Sequence, residues 1–111
     1  MKVRGSNLSM TRGDSESITV KCFQNGAAVP FENGDTVTFT VREDAESPIL
    51  LQKVVTTFDG NGWAVIPISS GDTEGMDFGD YVYDIQLTRS DGSVTTIVTI
   101  STFTLTEEVT Y

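Results

Sequence analysis

Gly79-Asp80-Tyr81-Val82-Tyr83-Asp84-Ile85-Gln86-Leu87-Thr88-Arg89 is the stretch whose reading decides the fold. Tyr81, Tyr83, Ile85 and Leu87 fall at every second position, and Val82, Asp84, Gln86 and Thr88 fill the gaps. A period of two sends the first set to one face of a strand and the second set to the other, whereas a helix would spread both around its surface. The aromatic and β-branched residues here suit a pleated, half-buried strand.

The same period recurs on both sides of this stretch. After it, Ser90-Asp91-Gly92 has the composition of a tight turn, and residues 93–99 and 102–106 read as closing strand with a bend near Ser101. Before it, Ser69-Ser70-Gly71-Asp72-Thr73-Glu74-Gly75-Met76 breaks the pattern and suits one short helical turn capped by Ser or Asp. Residues 63–68 form a strand, joined through the hairpin turn Asp59-Gly60-Asn61-Gly62 to a longer apolar run, 49–58, whose facing the pattern does not resolve. Residues 43–48 are a charged turn. Residues 35–42 alternate cleanly, with Val37, Phe39 and Val41 on one face and Thr36, Thr38 and Thr40 on the other. In residues 16–23, Ile18, Val20 and Cys22 share a face, and the turn pair Asn25-Gly26 follows.

About seven short strands with turn chemistry between them predict an all-β fold, an immunoglobulin-like antiparallel β-sandwich, as a single domain over residues 1–111. The cysteine pair of true immunoglobulin domains is missing. The predicted core comprises Val20, Val37, Phe39, Val41, Ile66, Ile68, Tyr83, Ile85, Leu87 and Phe103.

Sixteen Asp and Glu against seven Lys and Arg give a formal charge of −9. A surface of that sign repels phosphate backbones and anionic lipid, which argues against nucleic acid and membrane as partners. Its simplest use is solubility. The first residues lack the apolar core of a secretory leader, and no apolar run is long enough for a membrane span, so the expectation is a chain made and kept soluble in the cytoplasm.

Catalytic chemistry finds little material. There is no His and only one Cys, Cys22. The usual base of hydrolase triads, the commonest zinc ligand and any thiolate cluster are therefore missing. Cys22 continues an apolar face and reads as a small hydrophobe. Gly60-Asn61-Gly62 sits between strands and opens no helix, so it is no phosphate loop. Asp72, Glu74, Asp77 and Asp80 offer oxygen ligands for calcium, but their spacing matches no helix-loop-helix site, and Asp72-Thr73-Glu74 reads equally as helix capping. A glycosidase would need a carboxylate pair across a cleft, and no long loop is evident to build one. Arg12-Gly13-Asp14 spells the integrin-recognition tripeptide and also a plain turn ahead of a strand. Trp63 is the possible interface residue: it points opposite Ala64, Ile66 and Ile68, and reads either as an anchor for a partner or as cover for a sheet edge. No catalytic, cofactor-binding or metal-binding residue is assigned.

Six segments in order carry a resemblance: Met10-Thr11-Arg12-Gly13-Asp14 with Ser17-Ile18-Thr19-Val20; residues 35–42; Leu51-Gln52-Lys53-Val54-Val55; residues 62–68 followed by Asp72-Thr73; residues 79–87; and Ser101-Thr102-Phe103-Thr104-Leu105. Together they resemble the N-terminal domain of upper baseplate proteins of tailed phages of Gram-positive bacteria, over about residues 7–105. The resemblance implies a β-sandwich that attaches other parts to a tail tip, and with it no catalytic residues and no cofactor. It also implies a place in the virion after synthesis in the bacterial cytoplasm, and phage tail, baseplate or head proteins as partners, with a homo-oligomer possible. Members of that family continue past the equivalent of Tyr111, so the expectation is either a stand-alone accessory protein or a piece of a longer one. The alternative is a carbohydrate- or protein-binding module acting on a host surface. Strand edges are the expected means of assembly, with residues 2–10 or 94–106 at an edge and open to a partner strand.

Overall fold

The computed structural model describes residues 2–24 and 26–107. It is an all-β, sandwich-like structure. Its strands, in chain order, are β1 (Lys2–Arg4), β2 (Asn7–Thr11), β3 (Glu16–Val20), β4 (Cys22–Gln24), β5 (Ala27–Val29), β6 (Thr36–Arg42), β7 (Ile49–Val55), β8 (Ala64–Ile68), β9 (Gly79–Thr88) and β10 (Val94–Thr106), with one short helix, α1 (Ser70–Glu74), between β8 and β9.

Six strands form the larger sheet, in the order β1-β2-β10-β9-β6-β7. Over it lie two two-stranded sheets, β3-β8 and β4-β5. One apolar core fills the space between these layers. Its floor is the inner face of the large sheet: Val37, Phe39 and Val41 from β6, Tyr81, Tyr83, Ile85 and Leu87 from β9, and Phe103 and Leu105 from β10. Its roof is Ile18 and Val20 of β3 with Ala64, Ile66 and Ile68 of β8, closed at one end by Cys22 and Phe31. Phe39 lies at the centre, its ring 5.4 Å from that of Tyr83 and 6.0 Å from that of Phe103. All ten residues predicted for the core are buried.

The strand count exceeds the predicted seven, because three-residue strands such as β1, β4 and β5 are too short to display a period. The expected all-antiparallel pattern also has one exception. β2 runs parallel to β10, with Leu8 beside Phe103 and Thr11 beside Thr106. The expected bend near Ser101 is a register shift inside one continuous strand, between Val98 and Ser101. The apolar run that begins at Ile49 stops being strand at Val55.

Gly62 shows how tightly the hairpin turn is fitted. Its φ is 77°, and a Cβ there would lie 2.5 Å from Cβ of Pro30. Only glycine combines that backbone with that close approach. The Gly62 carbonyl accepts the Phe31 N–H at 2.8 Å and so ties the turn to the loop above the core.

Candidate functional site

Of the residues singled out in the sequence, Arg12 and Gly13 meet the 72–80 segment, whereas Trp63 packs against Lys21. Trp63 is half-buried at the base of the 59–62 turn, where its N–H donates to Asp59 Oδ1 at 3.0 Å. Lys21 lies over the ring, with Nζ 3.9 Å from the centroid. The ammonium sits on the π face, so part of the surface that an anchor would present is already occupied.

The Arg12-Gly13-Asp14 tripeptide is tied into the fold. The Arg12 guanidinium sits 4.1 Å from the Phe78 ring centroid and donates from Nη1 to the Met76 carbonyl at 3.3 Å. The Gly13 N–H donates to Thr73 Oγ1, and the Asp14 N–H to the Thr11 carbonyl. The Asp14 bond is that of a turn, and the others tie that turn to the 72–80 segment.

The acidic segment 72–80 disperses its charges. Asp72 caps α1 by accepting the Ser69 N–H at 2.8 Å and meets Lys53 Nζ at 2.6 Å. Slight burial pushes the Asp72 carboxyl up, but the Lys53 ammonium and the Ser69 N–H and hydroxyl outweigh it and hold the carboxyl below its ordinary 3.8. Asp80 accepts the Thr104 hydroxyl at 2.7 Å, and Tyr81 donates its hydroxyl to the Asp77 carbonyl. Among the described residues no three His, Cys, Asp or Glu groups gather as metal ligands.

Three surface clefts among the described residues offer room for a small ligand. The first, about 450 Å³, lies between β3 and the inner face of β9 and contains one carboxylate, Glu16. The second, about 320 Å³, lies on the outer face of the large sheet and also has one, Asp84. The third, about 450 Å³, lies beside β4 and has none. The two-carboxylate arrangement of glycoside hydrolysis is absent from all three. Burial raises the Tyr83 hydroxyl above its ordinary 10.0 and keeps it a donor. That hydroxyl bonds the Ser6 carbonyl, which pins the β1–β2 turn to the core.

Sequence reading missed a buried ion pair and an open edge. Asp35, 3% exposed, accepts both Arg89 Nη1 and the Glu32 N–H at 2.9 Å through one oxygen. An acidic residue just ahead of a strand gives no sign of a partner far along the chain. The open edge is β7, which pairs on one side with β6 and ends the large sheet. Ile49, Leu50 and Val54 on it are exposed apolar side chains. The signal was the run itself, apolar on both faces of a strand that is covered on only one. The two segments expected at an edge divide. β1 is the opposite end of the large sheet, whereas β10 is flanked by β9 and, over Phe103–Thr106, by β2. Among the described residues, Val94–Ser101 pairs only with β9.

No helix among the described residues is long and apolar enough to cross a membrane. No family model matches the chain, and no curated protein aligns with it at a significant level.

Proposed function

We propose that this chain is a non-catalytic structural or adaptor module of a phage particle, in the tail, baseplate or head, whose work is to join proteins through strand edges. The observation that carries the assembly part is where the exposed apolar residues lie. Ile49, Leu50 and Val54 line a free edge, and Val94 and Ile100 lie along the half-paired stretch of β10. A free edge offers unpaired N–H and C=O groups that another chain can match. The phage setting rests on the sequence resemblance. An immunoglobulin-like relationship belongs with that proposal. The charge of −9 favours a basic surface on the partner. Trp63, half shielded by Lys21, is a secondary contact in this reading.

The host-surface alternative would be served by a platform of aromatic rings on one sheet face. The exposed rings of Phe23 and Phe78 lie on separate segments, and Phe78 is already covered by Arg12. The test is to recover the chain from purified phage particles by mass spectrometry and to identify what co-purifies with it. Tail, baseplate or head proteins are expected. Absence from the particles, with no such protein captured, overturns the adaptor reading.

A further inference from the structure

The free edges of this molecule are not equally guarded. β1 is three residues long. β8 carries Pro67, which has no N–H to donate. The open stretch of β10 is broken by register shifts between Thr96 and Val98 and between Val98 and Ser101. Short edges, proline and bulges are recognised means of preventing edge-to-edge pairing. β7 has one bulge, at Leu50 near its start, and none of these devices over Leu51–Val55, where its register with β6 is unbroken. Its one charge, Lys53, is the residue type that usually guards an edge, but here its ammonium is drawn to Asp72 on α1 at 2.6 Å. The outward residues Leu50, Gln52 and Val54 present no charge.

We propose that β7 is a self-association edge, where a second copy of this chain pairs antiparallel across a two-fold axis at Gln52. This deepens the assembly reading above by naming the partner and the strand. That register sets Leu50 against Val54 of the other copy, so exposed apolar side chains meet at each end of the pairing. It also sets Lys53 against Leu51, whereas a shift of one residue would place lysine opposite lysine. Charge selects the direction. The exposed acidic residues Glu43, Asp44 and Glu46 lie at one end of β7 only. Antiparallel pairing holds the two acidic turns more than roughly 20 Å apart, beyond a Debye length at physiological salt, whereas parallel pairing would bring them together. The contact closes on itself, as two-fold interfaces do, and joins two six-stranded sheets into one.

The test is sedimentation of the full chain from about 10 to 500 µM, the range in which a small, single-strand interface of modest affinity assembles. A reversible dimer is expected. Val54→Lys should lower its association at least tenfold with an unchanged melting temperature, and Thr96→Lys, on the open stretch of β10, should leave it intact. Under mild oxidation Gln52→Cys should give a disulfide-linked dimer and Thr96→Cys should not, against the low background of the buried Cys22. A chain still monomeric at about 500 µM overturns the proposal, as does a dimer that survives Val54→Lys or fails to cross-link through position 52. A monomer that still co-purifies with virions would overturn the self-association edge while leaving the adaptor reading in place.

Discussion

The two faces of the large sheet share a backbone and differ in almost everything else. On the inner face Val37, Phe39, Val41, Ile85 and Leu87 are sealed from water. On the outer face the alternate residues of the same strands are Thr36, Thr38 and Thr40 on β6 and Asp84, Gln86 and Thr88 on β9. The inner face is a packed interior in which every removed methylene leaves a void. The outer face is stabilised by strand pairing beneath it, and its side chains, the buried Thr40 excepted, are close to interchangeable. Stability and identity therefore lie on opposite sides of one layer. The inner face holds the fold together, and the outer face contributes little to that.

The sharpest way to break this comparison is a pair of neighbours on β6. Phe39→Ala should cost about 3–5 kcal/mol, since it removes the ring at the centre of the core, and Thr38→Ala about 0.5 kcal/mol or less. Thermal and urea unfolding followed by circular dichroism measure both. Equal losses would mean that the two faces are not distinct in the way described.

The next largest effect is expected where a polar group intrudes on the buried side. Asp35→Ala removes the partner of Arg89 and the acceptor of the Glu32 N–H together. Because the Arg89 side chain keeps 24% exposure, water recovers part of the loss, and about 2 kcal/mol is expected. Urea unfolding checks it. A loss below about 0.5 kcal/mol would place Asp35 with the interchangeable surface residues instead.

The smallest effect belongs to the half-exposed Asp72–Lys53 pair, about 0.5 kcal/mol for Asp72→Asn. Its sign with pH is fixed. The folded carboxyl titrates below its ordinary 3.8, so its contribution is complete above that value and is lost as pH falls through the lower, folded one. Melting profiles of the two proteins should differ at pH 7 and converge towards pH 2. A constant difference across that range would remove the ion pair as the cause.

What was legible in the sequence follows the same division. A period of two is a local signal, so it picked out core residues from both layers, Val20 to Phe103, though not Leu8, Met10, Phe31 or Leu105, and the cap at Ser69 and Asp72 was readable from four consecutive residues. Pairing is not local. Nothing around Leu8 indicates that it lies beside Phe103, and nothing around Asp35 indicates Arg89. The β7 edge was obscured because Leu50 and Val54 face outward while Leu51 and Val55 face the core, so no alternation survives. Trp63 is partly exposed, as its position opposite Ala64, Ile66 and Ile68 implied, but the Lys21 contact over it spans 42 positions and left no mark on the pattern.

The parallel pairing of β2 with β10 has a mechanical consequence. A pull applied outward from Asn7 and Thr106 acts along both strands in opposite senses, so the segment from Leu8/Phe103 to Thr11/Thr106 is loaded in shear and its bonds must fail together. An antiparallel pair loaded at one end would unzip bond by bond. The Arg12 N–H to Thr106 carbonyl bond and the Asn7 side chain accepting from the Thr102 N–H share the load at the two ends of that segment. Force applied between those two points therefore meets this pairing in its stronger direction.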